Sequence, residues 1–256
     1  MKQVSSRDNP FFKELKKLAG SARQRSKSGL AVLDGAHLLA ALLSTGRLPQ
    51  QLAVTQAGLQ DAEITALLER MPTVPLTLLG DALFAEISEL KTPTGILALI
   101  ERPQSASTGR NHFCLLLEDI QDPGNLGSMI RSAAAAGCDV LFLSQGCADA
   151  WSPRVLRAGM GGHFVLDIHE SADLIAVAET FPGALYAASL DAEGSLYECD
   201  LRGAVAFAIG NEGAGLSAAL QQRARTVRIP MPGAVESLNA AAAAAICLFE
   251  AVRQRA

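Results

Sequence analysis

Residues 113–117 read FCLLL, five apolar side chains in a row with no polar residue between them. A sheet wet on one face would show alternation, so an unbroken apolar run fits a strand covered on both faces, as in a parallel sheet flanked by helices. A second apolar strand, VAFAI, occupies 205–209. Loops rich in Gly, Asn, Glu and Pro follow both strands. In an open parallel sheet ligands bind beyond the carboxyl ends of the strands, so those loops are where chemistry is to be sought.

The remaining pattern is α/β throughout. Residues 9–27 read as one helix, with Asn9 as cap, Pro10 in the first turn and Phe11, Leu15 and Leu18 at helical spacing. Strands are expected at 30–33, 51–54, 76–79 and 95–100, alternating with helices at 35–43, 62–70 and 82–89. The stretch RPQSASTGRN has no apolar period and reads as a linker. A second run then places strands at 113–117, 140–143, 164–166, 184–188, 205–209 and 226–229. Its helices fall at 127–136, 154–159, 172–180 and 238–253. The resulting organisation is an N-terminal unit over 1–101, a linker over 102–112 and a parallel-sheet unit over 113–256, which suits a 256-residue chain.

Composition narrows the function classes. Hydrophobic residues make up 49% of the chain, enough for two cores, yet no apolar run reaches the roughly 18 residues of a membrane helix. The opening MKQVSSRDNPFFKELKK is charged where a signal peptide would be apolar. Five scattered cysteines without a CxxC pair fit free thiols in a reducing cytoplasm. Four histidines without ligand spacing predict no metal.

A net charge of −4 argues against a polyanionic partner, but the distribution argues for one. Residues 1–30 carry eight basic side chains (Lys2, Arg7, Lys13, Lys16, Lys17, Arg23, Arg25 and Lys27) against Asp8 and Glu14. That arm is therefore +6 and the remainder −10. Such asymmetry suits phosphate contacts, although a merely solvated basic helix face reads the same way.

Three strand ends can carry chemistry. After 113–117 comes EDIQDPGNLGSMIRSAAAAG, in which Asn125 can cap a helix, Gly127 permits close approach and Arg131 lies one turn further on. Free backbone N–H groups plus a guanidinium suit phosphate. After 205–209 comes GNEGAGLS, with glycines at 210, 213 and 215 and a carboxylate at Glu212. It is no GxGxxG fingerprint, so a dinucleotide reading is weak. After 226–229 comes PMPGAVESLNAAAAAA, where Ser237 or Asn239 can cap the last helix and six alanines let another segment pack closely. Taken singly, each loop is equally an ordinary turn or capped helix.

Together the ordered set Asn125-x-Gly127-x-x-x-Arg131, IGNEGAGLS and IPMPGAVESLNAAAAAA resembles the three signature motifs of the SpoU (TrmH) family of RNA 2′-O-ribose methyltransferases. The resemblance covers 113–256. The 30–101 unit is similar to the RNA substrate-binding domain of two-domain members, and SSRDNPFFKELKKL resembles the start of those acting on ribosomal RNA. It implies an α/β domain with a deep C-terminal trefoil knot, S-adenosylmethionine as cofactor, a homodimer and structured RNA as substrate. By position, Leu190, Gly210, Asn211, Ile229, Met231 and Leu238 would bind the cofactor. Arg131, Asn125, Glu212, Ser237 and Asn239 would form the catalytic centre. Arg131 would orient a phosphate, Asn125 the ribose, and Glu212 would hold the Asn125–Arg131 loop or the cofactor side. Arg7, Lys13, Lys16, Lys17, Arg23, Arg25 and Arg157 would face RNA, with Arg154 beside them. His163 is an alternative base, but a histidine just before a strand more often packs.

Three other functions remain open at this point: a transfer-RNA ribose methyltransferase, a non-catalytic RNA-binding protein of the same fold, and a small-molecule α/β enzyme with a phosphorylated cofactor. The last leaves the basic arm and the first unit without a purpose.

Overall fold

The computed structural model describes residues 2–90, 92–103 and 112–256. The linker expected at 102–112 lies almost wholly outside the described residues. The chain forms two compact units, 1–103 joined by 151–164 from later in the chain, and the remaining residues.

The first unit begins with β1 (Lys2–Val4). The expected 9–27 helix is two helices, α1 (Pro10–Gly20) and α2 (Ala22–Ser28). Asn9 caps α1 through Phe11 and Phe12 N–H at 3.0 and 3.3 Å. The inward face is Phe12, Leu15 and Leu18, so Phe12 rather than Phe11 faces the core. Ser21 breaks the helix by turning extended, and its hydroxyl accepts Gln24 N–H at 3.2 Å to start α2. The break lets Arg25 fold back and donate to Leu18 O and Ala19 O. A cation on terminal helix carbonyls is favourable, but it leaves Arg25 only 4% exposed. Its assignment as an RNA contact is therefore corrected: it ties two helices together.

Next come β2 (Leu30–Asp34), α3 (Ala36–Ser44), β3 (Gln51–Val54), α4 (Ala62–Glu69), β4 (Leu76–Leu79), α5 (Asp81–Ala85) and β5 (Ile96–Glu101). The sheet runs β1-β4-β3-β5-β2. The first three strands are parallel, and β5 is antiparallel to both β3 and β2. Helix α5 stops four residues before the expected Glu89.

The second unit opens with β6 (Phe113–Leu117), α6 (Pro123–Ala136) and β7 (Val140–Leu143). Then α7 (Pro153–Gly159), which belongs to the first unit, packs against β2. A 3-10 turn at Gly162–Phe164 replaces the strand expected at 164–166, and β8 is Asp167–His169. Of the three residues expected as strand, Phe164 closes the turn and is buried, Val165 is exposed and Leu166 is buried, while His163 lies 5.2 Å from the Trp151 ring. There follow α8 (Leu174–Thr180), β9 (Ala184–Ala188), β10 (Val205–Ile209), α9 (Ala218–Gln221), β11 (Arg225–Val227) and α10 (Ala240–Arg255). All six strands are parallel, in the order β11-β9-β10-β6-β7-β8. Strand order reverses between β6 and β10, the switch point of this parallel sheet.

Helix α10 packs on α6 and β10, burying Ala241, Ala244, Cys247, Leu248 and Ala251. Its far end is pinned by Arg255, which donates to Leu201 O at 3.0 Å and lies 4.3 Å over the Phe113 ring. Arg228 N–H donates to Gly194 O, and Leu196 N–H to Arg228 O, each at 2.9 Å. These bonds set the segment leaving β11 against the loop after β9.

Candidate active site

Beyond the carboxyl ends of β9, β10 and β11 lies a cavity of about 350 Å³. Its walls come from the loops after β9, β10 and β11 and the start of α10. All six residues expected to bind cofactor line it: Leu190, Gly210, Asn211, Ile229, Met231 and Leu238. Glu212 and Ser237 line it as well. The last strand ends at Val227 rather than Ile229, which frees Ile229 to reach the cavity. Sequence reasoning missed Asp191, which contributes a second carboxylate to the wall.

The loop after β10 doubles back on itself. A Cβ at Gly210 would overlap the Gly215 carbonyl and Leu216 N, so only glycine lets the strand end fold against its own loop. Gly215 adopts φ +69°, the left-handed region. Asn211 Oδ1 accepts Gly213 and Ala214 N–H at 2.9 and 3.0 Å, which closes the turn from inside.

Side-chain amides join the three loops. Asn125 Nδ2 donates to Glu212 Oε1 at 2.5 Å, and Asn239 Nδ2 donates to Asn125 Oδ1 at 2.9 Å. Asn239 Oδ1 caps α10 by accepting Ala241 and Ala242 N–H at 2.9 and 3.2 Å. Thus Asn239, not Ser237, is the cap. Asn125 is not the cap of its own helix either, because α6 starts two residues earlier. Asp122 is the cap, accepting Asn125 N–H at 2.7 Å. That leaves the Asn125 side chain free for Glu212 and Asn239.

Arg131 lies on α6 six residues beyond Asn125 and is exposed. No hydrogen bond or ion pair engages it among the described residues. Cys147, near the end of β6, is kept a neutral thiol because burial pushes its pKa up. It donates to Leu117 O at 3.2 Å. His163 is fully buried, which removes it as a base. Among the described residues no group of three or more His, Cys, Asp or Glu could hold a metal ion.

The basic residues of the first unit divide by engagement. Arg7 and Lys16 share Glu86 at 2.6 and 2.5 Å, and Lys13 pairs with Asp8 at 2.8 Å. Lys17, Arg23 and Arg157 are exposed. Arg154 pairs with Glu89 at 3.1 Å.

Over residues 112–249 the chain matches the SpoU rRNA Methylase family, and over 9–98 the MRM3-like substrate binding domain. The Bacillus subtilis (strain 168) 23S rRNA (guanosine(2553)-2′-O)-methyltransferase RlmP is 33% identical, across 97% of this chain and 98% of that one. A crystal structure of an RNA 2′-O ribose methyltransferase is similar with TM-score 0.84 at 31% identity, covering 99% of each chain. The SpoU methyltransferase AviRb from Streptomyces viridochromogenes, solved in complex with AdoMet, is similar with TM-score 0.83 at 28% identity, covering 96% of this chain and 99% of that one.

Proposed function

The chain belongs to the SpoU rRNA methylase family, and on that premise we propose how its own residues carry out methyl transfer to RNA. It is an S-adenosylmethionine-dependent RNA ribose 2′-O-methyltransferase acting on ribosomal RNA. We take large-subunit RNA as the substrate, as in the name of the Bacillus relative. Residues 1–101 then serve as the substrate-binding part and 113–256 as the catalytic part.

The cavity suits this cofactor chemically. Leu190, Ile229, Met231 and Leu238 offer an apolar lining, while Gly210 and its neighbours expose backbone polar groups. Asp191 and Glu212 add negative charge suited to a sulfonium cation. When bound, S-adenosylmethionine supplies an electrophilic methyl group. The chain's task is then to align the ribose hydroxyl and to accept one proton. Alignment alone contributes on the order of 7–11 kcal/mol in well-oriented reactions.

Asn125 positions the ribose, held in turn by Glu212 and Asn239. Glu212 therefore acts on the loop that carries Asn125, which is one of the two roles its sequence position allows. Ser237 lines the same wall. The planar guanidinium fork of Arg131 matches a phosphate and carries no acceptor atom, so it serves as an orienting cation. It grips a substrate phosphate and stabilises the developing alkoxide, while that phosphate relays the proton to water.

The active form is a homodimer in this reading. The exposed face of α6 that carries Arg131 and the exposed Phe249 of α10 (47% exposed) offer surface for a second copy. The family's trefoil knot requires the C-terminal segment to cross an earlier loop, and the bonds between Arg228 and Gly194–Leu196, which set those two segments side by side, support that reading. Among the described residues no helix is long and apolar enough to cross a membrane. We place the protein in the cytoplasm, where five free thiols stay reduced.

One observation carries the reading: the loops after β9, β10 and β11 wall one cavity, and Glu212 in that wall is hydrogen-bonded to Asn125, which in turn accepts from Asn239. The test is transfer of labelled methyl from S-adenosylmethionine to ribosomal RNA from cells lacking the gene. Label in alkali-resistant dinucleotides is expected, since a 2′-O-methyl blocks cleavage. Label confined to bases, or none, overturns it.

A further inference from the structure

We propose that Glu118 and Asp119, the two residues that leave β6, are positioning residues that clamp both ends of the loop over residues 210–217. This rests on reading the cavity as the cofactor site.

The loop needs an external clamp. Three of its eight residues are glycine, so its unbound form has much conformational freedom to lose on ordering. Two adjacent residues from another strand end supply the hold. Asp119 has φ +57°, a left-handed conformation that few residues other than glycine adopt. Ser144 maintains it from both sides. Its hydroxyl accepts Asp119 N–H at 2.9 Å and donates to Asp119 Oδ1 at 2.6 Å. A Cβ at Gly146 would overlap the Asp119 carboxylate, so that neighbour is shaped to admit it. The turned backbone presents Asp119 O to Asn211 Nδ2 at 3.0 Å, which fixes the loop's beginning.

Glu118 fixes the end. Its N–H donates to Ile209 O at 3.0 Å, continuing the ladder between β6 and β10. Its carboxylate accepts Ser217 N–H at 2.6 Å and Ser217 O–H at 2.8 Å. Two short bonds to a carboxylate are of the stronger, charge-assisted kind. Asn211 and Ser217 are thus anchored to consecutive residues of one strand end, and the glycines between them are held as a closed arch. Glu212, which lines the cavity and grips Asn125, sits inside that arch. Clamping the arch preorganises the cofactor wall and reduces the ordering cost of binding.

The test uses the full-length protein and three measurements: S-adenosylmethionine affinity by calorimetry, KM and kcat with ribosomal RNA, and amide exchange over 213–217 without cofactor. Glu118→Ala should weaken cofactor binding about tenfold and speed exchange in the arch, as loss of charged hydrogen bonds implies. KM for the cofactor should rise more than kcat falls, with RNA affinity retained. Ser217→Ala, which removes the hydroxyl's bond to Glu118 and its 3.3 Å cap on Leu220 N–H, should lose about threefold, and Ser217→Thr, which keeps the hydroxyl, should recover it. Asp119→Asn, which tolerates the same backbone, should restore most of what Asp119→Ala loses. Unchanged cofactor affinity and unchanged exchange in both Glu118→Ala and Ser217→Ala would overturn the clamp. So would a uniform loss in which RNA affinity falls equally. Were the wild-type protein not to bind S-adenosylmethionine, the cofactor reading would fall, while the exchange data would still decide the clamp.

Discussion

Asn239 divides its side chain between two tasks: Oδ1 caps α10 and Nδ2 donates to Asn125 Oδ1 at 2.9 Å. The start of the last helix and Asn125, for which we propose ribose positioning, are thereby one unit. Aspartate at 239 would keep the cap, since Asp and Asn cap about equally well, but it has no donor for Asn125. Asn239→Asp should therefore stay within about 0.5 kcal/mol of wild-type stability and lose methyl transfer at least tenfold. Asn239→Ala should also lose about 1 kcal/mol of stability. Urea denaturation beside a methylation assay separates the two tasks, and equal activity in Asn239→Asp and wild type would dismiss the coupling.

Gly210 leaves no room for a side chain. Its Cβ would overlap backbone of Gly215 and Leu216, which cannot move as a flexible side-chain tip can. Gly210→Ala should open the arch and weaken S-adenosylmethionine binding by more than tenfold, an expectation set by typical overpacking costs of about 1–3 kcal/mol. Gly213→Ala, where the nearest atom to a Cβ is Asn211 Oδ1 at 3.5 Å, should cost far less. Calorimetric titration of both variants checks the ranking.

How far the sequence discloses this molecule depends on the range of the interactions involved. The apolar runs at 113–117 and 205–209 needed only local composition to be read as buried parallel strands. By contrast, β1 is three residues long and exists through pairing with β4, over seventy residues away. The break at Ser21 depends on Arg25 finding the carbonyls of α1, which no periodicity encodes. Six cofactor candidates and Glu212 fell on one cavity because family motifs mark them. Glu118 did not stand out, since a lone acid after a strand resembles a solvated one until Ser217 is seen folded onto it.

Asp34, at the end of β2, gives a pH dependence. Burial is the largest influence and raises its carboxyl above the ordinary 3.8, against the Ser88 hydroxyl at 2.6 Å and the Arg157 charge, which lower it. A carboxyl raised in the folded state favours folding when protonated, and that contribution disappears as pH rises through the folded-state value. The thermal midpoint of wild type minus that of Asp34→Asn should therefore fall as pH is raised from the acidic range towards neutrality. A rise over that interval would mean the burial argument has the wrong sign.

Arg131 is exposed and engages no other side chain among the described residues, so its removal should leave stability within about 0.5 kcal/mol. Methyl transfer is another matter if the planar fork grips a phosphate. Arg131→Lys keeps the charge but loses bidentate geometry. It should lower kcat at least tenfold at unchanged S-adenosylmethionine affinity, and Arg131→Ala further still. Near-normal turnover in Arg131→Lys would show that a point charge suffices.

The basic arm calls for point substitutions, because deleting it would remove β1 and the buried Phe12, Leu15 and Leu18, and so unfold the first unit. Lys17, Arg23 and Lys27 are exposed on α1 and α2, away from the core face. Arg25 must be left alone, since its buried guanidinium binds Leu18 O and Ala19 O. Replacing Lys17, Arg23 and Lys27 together by glutamine should preserve the thermal midpoint. If each meets one phosphate, the slope of log affinity for ribosomal RNA against log salt should become shallower by about 2, at roughly 0.7–0.9 per contact. Affinity should fall at low salt and converge with wild type at high salt, because counterion release is what the substitutions remove. An unchanged slope would place the RNA on another face and leave these cations as a solvated helix surface.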